Sequence, residues 1–211
     1  METNKMKYFP DSFARSVSAV FHPLLIPVYG LVIIFIAPTL MGYLPIEFKK
    51  ILLLIVLVNN VMVPALMMPF FRHRKIITSW TIDDRRERTI PLVLTTLLYA
   101  ISFYIVSRFQ LPFFIQSFFI SAFLISLAAT IINFWWKISV HSVGAGAIIA
   151  LVLTLSRRMD TPLMWYLVPA VIIAGLILSS RLKLNSHSPG QVWAGLLAGF
   201  SGLMLFMQIY Q

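Results

Sequence analysis

The chain contains no cysteine among its 211 residues, which excludes disulfides and thiolate metal sites. Charged residues are also scarce, at 11%, whereas hydrophobic residues make up 59%. A soluble domain needs more polar residues than this to cover its surface. Because long apolar runs recur along the sequence, lipid is the expected solvent. We therefore expect an all-α, multi-pass integral membrane protein with one domain over residues 1–211, in a bacterial inner membrane.

Acidic residues are also few: the chain has 7 Asp and Glu and 17 Lys and Arg, which gives a formal net charge of +10. The positive charge lies in short segments between apolar runs, so the expected partners are membrane lipids and a phosphate-bearing substrate, not nucleic acid. Asp83 and Asp84 resemble part of a magnesium-diphosphate motif of membrane prenyltransferases. A second acidic cluster is missing, because Asp160 stands alone on the other membrane face. A membrane prenyltransferase is therefore a weaker hypothesis for this chain than the two described below.

Hydropathy predicts a polytopic bundle of six to seven transmembrane helices. A span needs about 20 apolar residues, and the expected spans are 22–40, 51–71, 90–107, 112–135, 142–156, 162–179 and 189–208. The first of these contains Pro23, Pro27 and Pro38, and is expected to be bent or re-entrant. No internal repeat is evident, which disfavours a transporter built from inverted repeats.

Alternation of the spans places most reactive side chains at one membrane surface. The N-terminus and the segments 72–89, 136–141 and 180–188 fall on that surface, with 12 of the 17 Lys and Arg and all 4 histidines. The remaining cations are Lys49, Lys50, Arg108, Arg157 and Arg158. The excess of positive charge favours a cytoplasmic surface, although a phosphate site needs cations on either side of a membrane.

Three polar clusters lie on this surface. Residues 83–91 (DDRRERTIP) carry three arginines, whose planar guanidinium groups bind phosphate, or which set topology as a positive loop. Residues 137–142 (KISVHS) carry a histidine, which exchanges protons near neutral pH, although Trp135, Trp136 and Lys137 also fit an interfacial belt.

The third cluster, residues 180–191 (SRLKLNSHSPGQ), is the most specific. Ser188 and Gln191 have the spacing of a capping box, and Pro189 suits a first helical position. A helix is therefore predicted to begin immediately after His187, with its positive dipole end toward the loop. Arg181, His187 and this helix N-terminus predict an anion site.

The three clusters resemble, in order and membrane side, the three motifs of the type 2 phosphatidic acid phosphatase superfamily, over roughly residues 80–205. The third family motif, Ser-Arg, five residues, His, three residues, Asp, is matched except at its last position, where this chain has Gln191. The second, Pro-Ser-Gly-His, is matched at two positions. The first, Lys, six residues, Arg-Pro, is matched loosely, with Thr81 in place of the Lys. The matching residues are Ser180, Arg181 and His187 for the third motif, Ser139 and His141 for the second, and Arg88 for the first, with Pro91 three residues later.

The resemblance implies a metal-independent lipid-phosphate phosphatase with a phosphatase-like helical core and no cofactor. His187 would attack phosphorus, His141 would act as general acid, and Gln191 would take the place of the Asp that orients the nucleophile. The phosphate would be bound by Arg88, Arg181, Lys137, Arg85 and Ser139.

Gln191 brings no negative charge, so two alternatives remain. One is that Asp83, Asp84 or Glu87 supplies the missing carboxylate. The other is that the chain is a catalytically inactive relative that binds anionic lipid headgroups. The resemblance places such sites on the periplasmic or lumenal side, against the charge count. The lipid itself and the oligomeric state remain open.

Overall fold

The computed structural model describes residues 10–80, 82 and 84–210 of the chain; Thr81 and Asp83 lie outside the described residues. Within this part the protein is helical, without strands. Seven segments are long and apolar enough to cross a membrane, which confirms the polytopic helical bundle. They are Asp11–Ile36, Ile46–His73, Arg85–Ser107, Phe113–Asn133, Val140–Arg158, Met164–Lys183 and Pro189–Ile209.

The first span begins earlier than the sequence predicts, at Asp11 and not at residue 22. It consists of helix α1 (Asp11–Val20), a 3-10 turn (Pro23–Leu25) and helix α2 (Ile26–Ile36). His22 separates the two helices, with its Nδ1 accepting the N–H of Leu24 at 3.3 Å. Pro23 and Pro27, which led us to expect a bent or re-entrant span, therefore lie at a break inside it, because the chain before them is also helical.

The second span contains helix α3 (Ile46–Val56) and helix α4 (Val63–His73), joined by a π-helical segment, Leu57–Met62. Asn60 in this segment is buried, and its Oδ1 accepts a hydrogen bond from Ser102 Oγ at 2.8 Å. The polar amide therefore contacts the neighbouring span, as expected for a polar side chain in lipid.

The remaining five spans are single helices: α5 (Arg85–Ser107), α6 (Phe113–Asn133), α7 (Val140–Arg158), α8 (Met164–Lys183) and α9 (Pro189–Ile209). α5 packs against α6, α7 packs most extensively against α9, and α1 packs against α8. Because α7 and α9 are separated by one return helix, they run in the same direction and begin at the same membrane surface.

Glycines bring α7 and α9 close together. A Cβ on Gly199 would lie 1.9 Å from the Val143 carbonyl oxygen, and one on Gly146 would lie 2.1 Å from the Leu196 carbonyl oxygen. Side chains of any size are therefore excluded at both positions, as at other close helix crossings in membranes. This contact makes the first turns of α7 and α9 neighbours, and with them His141 and His187.

Candidate active site

The turn between α8 and α9 is built by local hydrogen bonds. The N–H of Ser186 donates to the Arg181 carbonyl at 3.2 Å, and that of Asn185 donates to the Leu182 carbonyl at 3.0 Å. With Asn185 at φ +50°, this is a Schellman motif, in which asparagine tolerates the left-handed conformation. The chain therefore reverses within a few residues and presents Arg181 and His187 on the same side.

The capping box predicted at the start of α9 is confirmed. Ser188 Oγ accepts the N–H of Gln191 at 3.4 Å, and Gln191 Oε1 accepts the N–H of Ser188 at 3.2 Å. The same Oε1 lies 3.1 Å from Nδ1 of His187. Gln191 therefore acts both as a cap and as a partner of the histidine.

These contacts define the tautomer of His187. A backbone N–H can only donate, so the Gln191 atom facing Ser188 must be the amide oxygen. Because that oxygen can only accept, His187 Nδ1 must carry the proton that it donates. Nε2 then carries no proton, and its lone pair accepts a hydrogen bond from Nη1 of Arg88 at 3.4 Å. The imidazole therefore directs an unprotonated nitrogen at an arginine.

His187 is also held in its neutral form. Its side chain is buried, and this burial, together with the positive charges of Arg88, Arg181 and Lys137, lowers its pKa to about 3. The hydrogen bond to Gln191 acts in the opposite direction but is outweighed. At neutral pH the ring is therefore uncharged, as a nitrogen nucleophile requires.

His141 and Arg181 are joined through α1. Nε2 of His141 lies 3.2 Å from the Ser18 carbonyl oxygen, and Nη1 of Arg181 donates to Ser18 Oγ at 3.3 Å. Since Ser18 belongs to the last turn of α1, its carbonyl is one that α1 itself leaves unpaired. The end of α1 therefore orients both a histidine and a buried arginine of the candidate site.

These groups line one cavity of about 820 Å³. Arg88, His141, Arg181 and His187 lie around one part of it, whereas most of the remaining wall is apolar and comes from α2, α4, α5, α6 and α7. The structure thus brings together the four residues that the sequence analysis places at the centre of the site. A polar end joined to an apolar chamber fits an amphiphile better than a small soluble anion.

Two expected phosphate ligands lie elsewhere. Arg85 donates to the carbonyls of Asn133 and Phe134, so it caps the end of α6 and does not line the cavity. Ser139 is fully buried, and its hydroxyl accepts from the N–H and Oγ of Ser142 as the N-cap of α7. In this structure both side chains therefore make structural contacts at helix ends, and their binding of phosphate stays a prediction. Lys137 is half-buried, and its charge acts on His187.

The acidic residues proposed as substitutes for the missing carboxylate have other partners. Asp84 caps α5 by accepting the N–H of Arg86 at 2.8 Å, and Glu87 accepts the N–H of Thr78 at 2.9 Å. Asp83, the third candidate, lies outside the described residues. Among residues that the structure does describe, no group of three His, Asp or Glu could hold a metal ion.

The contribution of α1 to the cavity was not predicted from the sequence. Ser18, His22 and Arg15 line the cavity, although they precede the region of resemblance. The available signal was the three-residue spacing of Arg15 and Ser18, which places these two on one helical face. Which helix that face contacts is a tertiary property.

The chain matches no protein-family model, no curated protein and no solved structure, so inferences about its activity depend on this geometry.

Proposed function

We propose that the protein is a membrane phosphatase that removes a phosphate from a lipid phosphate or diphosphate through a phosphohistidine on His187. The observation that carries the proposal is the pair of hydrogen-bond partners of His187. Gln191 Oε1 holds Nδ1–H, and the opposite nitrogen faces the Arg88 guanidinium. A neutral imidazole in one tautomer, with its lone pair beside an arginine, suits attack on phosphorus.

In the proposed reaction, Arg88 and Arg181 hold the non-bridging oxygens of the substrate phosphate. His187 Nε2 forms a bond to phosphorus while the bond to the leaving oxygen breaks, and His141 gives that oxygen a proton. Water then attacks the phosphorus of the phosphohistidine and returns a proton to His141. Catalysis of this kind depends mainly on positioning and charge stabilisation.

The apolar chamber supports a lipid substrate. Pro64 and Met68 of α4, Leu92 of α5 and Ala122 of α6 line the same cavity as the histidines. An alkyl or prenyl chain placed there would be removed from water, at a gain of about 0.8 kcal/mol per buried CH₂. A phosphate without an alkyl or prenyl chain would leave this apolar surface uncovered.

The test is phosphate release by the purified protein in detergent micelles. The substrates are farnesyl phosphate, farnesyl diphosphate and a phosphatidate, each assayed with and without chelator. We expect turnover that survives chelation, and an acid-labile phosphoryl label on His187 after rapid quenching. His187→Asn should abolish both. Turnover that is unchanged in His187→Asn would refute the nucleophile assignment.

A second candidate follows from Gln191, which supplies no negative charge to the nucleophile. It is a non-catalytic protein that binds anionic lipid headgroups at the same cavity. No turnover on any of the three substrates, together with retained binding of vesicles that contain phosphatidate, would favour it. Turnover that requires added Mg²⁺ would instead favour the prenyltransferase-like alternative.

A further inference from the structure

α1 brings polar groups to the cavity beyond those needed for one phosphate. Arg15 and Ser18 are three residues apart on one face of α1, and His22 lies just beyond the end of α1, as the N-cap of the following 3-10 turn. All three line the cavity. Ser18 is occupied by Arg181 and His141, whereas the side chains of Arg15 and His22 are exposed.

His22 lies beside the candidate general acid. Its ring centroid is 5.6 Å from that of His141, with the rings at 81°. Because Nδ1 of His22 accepts the Leu24 N–H, the neutral ring carries its proton on Nε2. His22 is therefore a hydrogen-bond donor to the cavity even when it is uncharged.

The position of His22 indicates which part of a substrate it meets. A general acid contacts the leaving group, and the nucleophile lies on the opposite side of phosphorus. Groups next to His141 and away from His187 therefore contact the leaving group. Arg15 lines the same cavity and adds a full positive charge, and none of the described lining residues is acidic.

The charges of the cavity residues can be compared with those of possible phosphate substrates. A lipid monophosphate carries about two negative charges at neutral pH, which Arg88 and Arg181 already balance. A second phosphate in the leaving group would add about one more negative charge. We propose that Arg15 and His22 form a second anion subsite for the inner phosphate of a lipid diphosphate, so that the preferred substrate of this site is the diphosphate.

This inference rests on the proposed function and extends it to the identity of the leaving group. His187 Nε2 bonds to the outer phosphorus, and the bridging oxygen leaves with the bonding electrons as part of a lipid monophosphate. Water then releases the outer phosphate from His187. His22 and Arg15 bind the departing lipid monophosphate, whose negative charge increases as the bridging bond breaks.

The experiment compares kcat/KM for farnesyl diphosphate and farnesyl monophosphate in the wild type and in variants. His22→Asn retains an acceptor for the Leu24 N–H, since asparagine is a good cap, and Arg15→Gln removes an exposed charge. The matched control is Arg86→Gln, an exposed arginine on the same surface that does not line the cavity. We expect the wild type to prefer the diphosphate by at least about tenfold, as for one charge-assisted contact. The double variant should lose that preference, and Arg86→Gln should keep it.

A binding measurement separates failure of the subsite from failure of the proposed function. Isothermal titration in detergent with inorganic pyrophosphate and orthophosphate should give at least about tenfold tighter binding of pyrophosphate, abolished in the double variant. Preferential pyrophosphate binding without turnover would support the subsite and refute the phosphatase. Equal turnover of farnesyl diphosphate and farnesyl monophosphate, together with equal binding of pyrophosphate and orthophosphate, would refute the subsite but not the phosphatase. If His22→Asn fails to fold by thermal unfolding, Arg15→Gln decides the question.

Discussion

Gln191→Glu is the substitution that most directly tests the role of His187. Glutamate has the length of glutamine and two acceptor oxygens, so it can keep the hydrogen bonds to Ser188 N–H and to His187 Nδ1–H. The change adds one negative charge beside the imidazole. A carboxylate in the first turn of α9 is also compatible with the helix dipole, so the variant should fold.

The expected shift of the pKa follows from the geometry. Gln191 Oε1 lies 3.1 Å from His187 Nδ1, which places the two charge centres about 4 Å apart and gives about 4 kcal/mol at an effective dielectric constant of about 20. One pKa unit corresponds to about 1.36 kcal/mol. The variant should therefore raise the pKa of His187 from about 3 by up to about three units.

A pH–rate profile measures this shift. In the proposed mechanism turnover requires neutral His187, so activity should be lost as pH falls through the pKa of that group. In the wild type the nucleophile stays neutral throughout the range from about pH 5 to 7. In Gln191→Glu the acid limb should move up to about pH 6, while turnover above about pH 7 is at least retained because the nucleophile is more basic.

Gln191→Met is the matched control, because methionine has a similar length but accepts hydrogen bonds poorly. It should lower turnover by about tenfold to a hundredfold through loss of the tautomer, without moving the acid limb upward. If Gln191→Glu leaves the acid limb where the wild type has it, His187 is not the group whose neutral form is needed. The phosphohistidine mechanism would then be refuted even if the protein hydrolyses lipid phosphates.

Three further predictions concern packing, the chamber and stability. Gly199→Ala should destabilise the protein by about 1–3 kcal/mol or more in detergent unfolding, because its Cβ meets the Val143 carbonyl oxygen, a backbone atom that no rotamer change can move. Ala122→Phe should fill part of the chamber and raise KM about tenfold for a long-chain lipid phosphate but not for a short-chain one; equal effects on both would contradict a chain-binding role. The folded pKa of His187 lies below the ordinary value of 6.5, so the unfolded chain binds the proton first and stability should fall from about pH 6.5 toward pH 3, by up to about 1.4 kcal/mol per pH unit. His187→Asn should flatten that dependence in thermal unfolding, and a dependence as steep as in the wild type would contradict it.

The parts of the fold that sequence predicts well are those fixed by lipid and by local hydrogen bonds. The helical spans follow because every backbone polar group in a bilayer must be paired within its own segment. The start of α9 follows from Ser188 and Gln191, whose cap forms within one turn. Ser139 carried a comparable local signal, because a serine just before a helix is a strong N-cap, but the motif resemblance favoured a phosphate contact instead.

The parts that sequence could not predict depend on which helices meet. In the sequence, Arg85 is recognisable only as one arginine of a cationic cluster. Its acceptors, the carbonyls of Asn133 and Phe134, are brought to it by the packing of α5 against α6. Ser18 likewise acquires its role only when α1 lies against α8 and the start of α7. A hydroxyl and a carbonyl at the end of one short helix carry no sequence pattern that would identify Arg181 and His141 as their partners.

In the proposed mechanism, Gln191 in place of the carboxylate that the resemblance implies has a smaller consequence than the sequence suggests. In Ser-His-Asp enzymes, replacing the acid with an amide costs about four orders of magnitude, largely because the histidine takes the wrong tautomer. That loss arises when the amide can turn its NH₂ group toward the ring. Here the Ser188 N–H holds the oxygen of Gln191 toward His187, so the amide keeps the tautomer that a carboxylate would select. Gln191 therefore lacks only the negative charge of a carboxylate, and in the proposed mechanism the result is a less basic nucleophile that remains neutral at low pH.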